Sequence, residues 1–375
     1  MSAASPPRPS LSPPHPSVSP PRPSVSPPRT GPDAPPGPGP GVPSRPYLLT
    51  GAGGVIGQSL ATVLGPGHVI GLVRPGGNRP GPGIEAVTGD VTAAGLGLDP
   101  GPGRVLAGRI GGVVHSAAVT SFTRPAEEIR RVNTDGTRHA LRLAEAAGVP
   151  FHLVSTVYVR QRDGSAETGR SRVYRESKQA AEDLVRAARV PWSILRVTVV
   201  TGDSRTGATP RFQGIYAAMK ALVTGDAHLV PVAPGSRLDF LPRDHVAACV
   251  AALLAAGARG EHWITAGERA LTIEQFVDHC LRFAGRLGWE VPRPRLMDSD
   301  VVHRLILPAF GDALAADLRK RLELFTDIVG PLTTDETLPG PGPELPAPPD
   351  LGAALDTALE YWSSRVRLVR QGVRA

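Results

Sequence analysis

Tyr174 and Lys178 stand four residues apart in the stretch Tyr174-Arg175-Glu176-Ser177-Lys178, and Ala181, Leu184 and Val185 continue it at helical spacing. An i to i+4 separation puts both side chains on one helix face, about one turn apart. An ammonium beside a phenol stabilises phenolate and lowers the tyrosine pKa, so Tyr174 is suited to exchange a proton with a carbonyl oxygen. The chain holds five tyrosines and only three lysines, Lys178, Lys220 and Lys320, so coincidence explains the spacing poorly; a plain surface pairing is the alternative.

The second stretch with chemical content is Tyr47 to Gly57, YLLTGAGGVIG. A short apolar run enters a glycine turn and opens into a helix. Gly51 serves the tight turn, Gly54 lets a pyrophosphate approach the main chain, and Gly57 lets helix and strand pack closely. The helix start offers free amides and partial positive charge to phosphate. Thr50, Gly51, Gly53, Gly54, Val55, Ile56 and Gly57 are therefore the expected dinucleotide cradle.

Apolar segments follow at the spacing of a strand-helix alternation. His68 to Val73 reads as a strand ending at Arg74, where an arginine suits the 2′-phosphate of NADP and an acidic residue would suit NAD. Ile84 to Val87 leads to Asp90-Val91, placed to meet adenine, and Gly111 to His115 leads to Ser116-Ala117, where small residues let a cofactor lie against the backbone. His115 is expected to line the cofactor cleft rather than act as a base. A long helix is predicted from about Ala126 to Ala147, then a strand at Phe151 to Val154 with Ser155-Thr156 at its carboxyl end, the edge at which open parallel sheets bind ligands. Trp192 to Val200 reads as a sixth strand, after which the alternation breaks down. For Asp203 and Arg205, substrate contact and a simple turn at Gly202-Asp203-Ser204 stand equally. Asp239 and Asp244 are expected to cap or pair near a helix start. Thr272 and Gln275 form a capping box for a helix reaching Phe283. Further helices are predicted at Val301 to Phe325 and Leu351 to Ser363.

Composition narrows the classes. Residues 1 to about 45 repeat SPPRPSL, SPPHPSV, SPPRPSV, and proline at that density removes amide donors and fixes extended backbone, so a disordered tail is expected. Two cysteines, Cys249 and Cys280, exclude a disulfide framework and suit the cytoplasm. The longest apolar run, Val246 to Ala256, is too short for a bilayer. The net charge of +7 comes from scattered arginines with few aromatics among them, which disfavours nucleic acid. Ten dispersed histidines without i,i+4 pairing disfavour a metal site.

TGAGGVIG, GDV, HSAA, NTDGT, VST and YRESK, in this order between Pro46 and about Gly267, resemble the extended short-chain dehydrogenase/reductase family. The resemblance implies an α/β fold: a Rossmann-type doubly wound parallel sheet over 46–267, with a smaller, mostly helical substrate lobe over 268–375 joined by parts of 203–240. It further implies Thr156 on the substrate carbonyl, Tyr174 as general acid/base, Lys178 on the nicotinamide ribose, and Asn133 supporting the proton relay or the site backbone. Ser155, the neighbouring hydroxyl, ranks second to Thr156. VSTVYV with GDSRTG looks most like the thioester-reductase and fatty-acyl-reductase (male-sterility-type) branch. Arg74 points to NADP rather than NAD, and the branch implies a small-molecule or carrier-bound acyl substrate arriving in trans. A homodimer is left open. The alternatives are a nucleotide-sugar epimerase or dehydratase, a ketone or alcohol dehydrogenase, and a non-catalytic NADP-binding regulator, which would be expected to lack the Tyr/Lys pair.

Overall fold

The fold is built outward from one strand, whose neighbours on both sides run parallel to it. The computed structural model describes residues 1, 45–160, 169–306, 333–334 and 337–368. Strand β1 (Tyr47–Thr50) is buried at all four positions and enters helix α1 (Val55–Leu64) through the glycine turn. There follow β2 (Val69–Val73), β3 (Glu85–Thr88), α2 (Pro100–Arg109), β4 (Gly112–His115), α3 (Ala126–Arg130), α4 (Gly136–Ala147), β5 (Phe151–Thr156), α5 (Gly169–Arg186) and β6 (Trp192–Val197). The chain continues through β7 (Val199–Thr201), α6 (Ile215–Val223), β8 (Leu229–Val230), β9 (Arg237–Leu238), β10 (Phe240–Pro242), α7 (Arg243–Ala255) and β11 (Gly260–Ile264). The first six strands and β11 form one sheet, in the order β11-β6-β5-β4-β1-β2-β3, with parallel pairing throughout. Order reverses between β1 and β4, and the crevice outside the carboxyl ends at such a reversal is where an α/β sheet binds its ligand.

Buried side chains separate into two layers, one on each face of the sheet. One holds Leu48, Ile70, Val113, Phe151 and Leu153 with Leu106, Leu141, Ala144, Ala181 and Val185 of α2, α4 and α5. The other holds Leu49, Val114, Val154 and Leu195 with Leu60 of α1 and Val246 and Val250 of α7. Alternation along each strand, with period two, assigns neighbouring residues to opposite layers.

Several boundaries differ from the sequence expectation. The long helix is continuous from Ala126 to Ala147 but carries a π-helical turn at Arg131–Asp135. Tyr174 does not open its helix, because α5 begins at Gly169. The sixth strand divides at Thr198: Val199–Thr201 leaves the main sheet as β7 and pairs with β10. Thr198 is held at the break by its amide on the Ile264 carbonyl and its hydroxyl on the Asp239 carbonyl. Asp239 is buried and accepts from the amides of Ala266 and Gly267, while Asp244 accepts from the amide and hydroxyl of Ser204. The capping box of Thr272 and Gln275 is formed, and its helix α8 runs Ile273–Arg286. The C-terminal helix spans Leu351–Arg365. Its Leu355 and Trp362, with Phe276 of α8, join the same apolar layer as Leu49. A division at residue 267 is therefore one we propose on function. Most of the tail, and the predicted helix beyond residue 306, lie outside the described residues. No helix among the described residues is long and apolar enough to cross a membrane.

Candidate active site

Tyr174 is buried in the second turn of α5, its ring 5.5 Å from Phe122 and 5.8 Å, edge-on, from Tyr158. Burial pushes its phenol up to about 12, and hydrogen bonding with Thr156 opposes this. Loss of hydration thus outweighs the Thr156 hydrogen bond, and the lowering expected from an i,i+4 ammonium is not seen. The phenol is protonated at neutral pH, which is the form that can donate to a carbonyl oxygen. One turn on, Lys178 is buried and donates to the Val154 carbonyl at 2.8 Å. Burial brings its ammonium down to about 8, with the Glu182 carboxylate acting against the shift.

Thr156 and Ser155 are both buried at the end of β5, but strand alternation turns them to opposite sides of the sheet. Thr156 neighbours the phenol. Ser155, ranked second to Thr156, donates to Glu182 Oε1 at 2.6 Å, so its hydroxyl is engaged with α5. Asn133 lies in the π-helical turn, a local irregularity that often marks functional sites. Its Oδ1 accepts from the Val119 amide, and its Nδ2 donates to the Val119 carbonyl and to Ser177 Oγ. Ser177 Oγ in turn donates to the Tyr174 carbonyl at 2.6 Å. Of the two roles expected for Asn133, these bonds are those of the backbone support.

At the nucleotide end, Gly51 has φ +68°, and a Cβ there would lie 2.7 Å from the Ala117 amide nitrogen. Gly54 is exposed, and its added Cβ would meet only the Gly51 carbonyl, at 3.1 Å. Gly53 passes beneath the loop at Asn78, whose carbonyl a Cβ would strike at 2.1 Å. Helix α1 starts with neither a side-chain cap nor an acidic residue in its first turn, so its leading amides suit an anion. Val55 is buried and Ile56 half-buried beside them. These features fit a dinucleotide pyrophosphate.

Thr50 and His115 are register partners on β1 and β4, joined by a 2.8 Å bond between Thr50 Oγ1 and His115 Nδ1. Thr50 Oγ1 also accepts from the Ala117 amide, and Ser116 bonds through its amide to the Thr50 carbonyl. His115 Nε2 is buried with no hydrogen-bond partner among the described residues. Arg74 follows β2 with an exposed side chain. Asp90 Oδ1 accepts from the amide and hydroxyl of Thr92, and Val91 is buried against Gly136. Asp203 Oδ1 takes the amides of Arg205 and Thr206 and the Thr206 hydroxyl, and Arg205 is exposed. Of the two readings of this stretch, the turn is the one formed. Phe122, Tyr158, Ser177 and Glu182 escaped the sequence reading; an acid one helical turn beyond Lys178 is the signal that could have found Glu182.

Burial lowers His115 to about 3, with Lys178 contributing, and His152 to about 4. Folded-state values below the unfolded value mean that the unfolded chain binds more protons as pH falls. Stability should therefore drop on acidification from about pH 6.5 toward these folded values. Calorimetric Tm should decline from pH 7 to pH 5, less steeply in His152→Asn.

The sheet order and the glycine turn are those of a Rossmann-type doubly wound fold, with Thr156, Tyr174 and Lys178 gathered at its ligand-binding edge. Residues 82–250 match the family model described as Male sterility protein, an NAD-binding domain whose match begins downstream of the glycine turn. The chain is 30% identical over 178 residues to a linear gramicidin synthase of Brevibacillus parabrevis, covering 43% of this chain and 3% of that protein. It is 30% identical over 260 residues to an isonitrile lipopeptide synthase of Streptomyces coeruleorubidus, covering 58% of this chain and 17% of that one. Among solved structures, the terminal R domain from the myxalamid PKS-NRPS pathway superimposes with TM-score 0.66 at 25% identity, over 86% of this chain and 91% of that one. The chain thus spans a small fraction of the curated relatives' length. Residues 82–250 are thus similar to a male-sterility-type NAD-binding domain, and the fold is similar to that of the terminal R domain.

Proposed function

We propose that this protein uses NADPH to reduce an acyl thioester presented by a carrier, with Tyr174 as general acid. The observation that carries the reading is the buried grouping of Thr156, Tyr174 and Lys178 at the carboxyl end of β5. NADPH, when bound, supplies hydride to the thioester carbonyl carbon. Thr156 polarises the carbonyl oxygen and Tyr174 gives it a proton, yielding a hemithioacetal that releases thiol and aldehyde. Lys178 holds the nicotinamide ribose, and the Val119–Asn133–Ser177 bonds keep the Tyr174 backbone in place. The relatives being synthases, and the R domain being the terminal part of one, support a carrier-bound substrate.

NADPH and NADH oxidation should be followed with acyl groups on phosphopantetheine and on CoA. Turnover with NADPH is expected; absence of turnover, together with NAD released from the denatured protein, would move the protein to the sugar-epimerase side of the family. Arg74 at the β2 terminus supports the 2′-phosphate assignment. Arg74→Ala should raise the Kd for NADPH about 10-fold while leaving that for NADH unchanged, a loss appropriate to one charge-assisted phosphate contact. Titration of nicotinamide fluorescence measures both.

A further inference from the structure

The Glu182 carboxylate has both oxygens saturated although its side chain is only 2% exposed. Oε1 accepts from Ser155 Oγ at 2.6 Å and Arg196 Nε at 3.1 Å. Oε2 accepts from Arg196 and Arg186, each at 2.7 Å. Both arginines also reach Glu261 on β11, at 2.7 and 2.8 Å. A buried charge costs too much to keep unless it is paired in this way, and one paired so fully holds its elements in a fixed relation.

Glu182 lies one helical turn beyond Lys178, which lies one turn beyond Tyr174. Lys178 ties α5 to the Val154 carbonyl, and Glu182 ties it to the side chain of Ser155, the next residue of the same strand. These two bonds, one turn apart on the helix and one residue apart on the strand, set α5 against Thr156.

We propose that Glu182 is a positioning residue for the reduction. Clamped by Ser155 and Arg196, it fixes α5 on the end of β5 and places a negative charge one helical turn from the buried Lys178 ammonium. This rests on the reading that Tyr174 and Lys178 perform the chemistry. The charged and titratable groups around Lys178 are Glu182 and Tyr174 on α5 and His115 on β4; around Glu182 they are Arg186 on α5 and Arg196 on β6, with Glu261 of β11 behind them. An acid beside a buried amine favours its charged form, and a neighbouring cation opposes it.

The test is a pH titration of the full chain labelled with ¹³C-lysine. Its three lysines make the Lys178 signal assignable by its absence in Lys178→Met. Glu182→Gln, which keeps the shape, should lower the Lys178 midpoint by about one pH unit, and Arg196→Gln should raise it. The pH dependence of NADPH affinity should move in the same two directions. A purely structural role would lower Tm in both variants and leave the midpoint where it was, which overturns the proposal. If Glu182→Gln does not fold, the direction of the Arg196→Gln shift decides. Opposite shifts without thioester turnover would keep this inference and reject the substrate assignment; turnover with unmoved midpoints would do the reverse.

Discussion

Tyr174→Phe should lower turnover by roughly 10²–10⁴-fold while the Kd for NADPH stays within about threefold. The substitution removes one oxygen. The ring remains, with its packing on Phe122 and Tyr158, so little should change in the fold. The phenol is pushed up to about 12 by burial and is therefore a proton donor across the physiological range. Without it, the oxygen that accumulates charge during hydride addition receives no proton from the protein. Single-turnover oxidation of NADPH, measured beside fluorescence titration of binding, separates the chemical step from affinity. A variant with near-normal single-turnover rate would remove Tyr174 from the mechanism.

Gly57→Val should be the most damaging substitution of the glycine turn. A Cβ at residue 57 would lie 2.1 Å from the Gly51 carbonyl oxygen and 2.8 Å from the Ala52 Cα, both main-chain atoms that cannot rotate away. Helix α1 would have to leave β1, opening the layer that holds Leu60 against Leu49. A cost of about 3 kcal/mol or more is expected, with Tm down by at least about 5 °C and NADPH affinity down more than about 100-fold. Gly54→Ala is the contrasting case. Its Cβ meets only the Gly51 carbonyl, at 3.1 Å, and projects from an exposed position at the start of α1. Tm should hold within about 2 °C while NADPH affinity falls, because the added methyl occupies the approach of the pyrophosphate. Equal losses of stability in the two variants would deny this separation of roles.

Where sequence reading fell short, the missing information was of one physical kind. Helix α2 was not recognised because it opens Pro100-Gly101-Pro102-Gly103, residues of low helical propensity that tolerate a first turn but advertise a loop. The end of β6 was overrun because Val199 and Val200 continue the apolar pattern; only the bonds from Thr198 to Ile264 and Asp239 divide the strand. Asp203 could be a ligand or a turn residue until its carboxylate was seen taking the amides of Arg205 and Thr206.

By itself, the amino-acid sequence determined the glycine turn, the strand-helix alternation and the placing of Tyr174 and Lys178 on one helix face. Those features depend on backbone freedom and side-chain period within a few residues, which any short stretch carries with it. Tertiary structure decided which of two adjacent hydroxyls meets the phenol, and that Glu182 joins Ser155 to Arg196. It also decided that burial outweighs the Thr156 hydrogen bond at Tyr174. Each of these depends on which remote elements pack together and exclude water, and no local pattern records that.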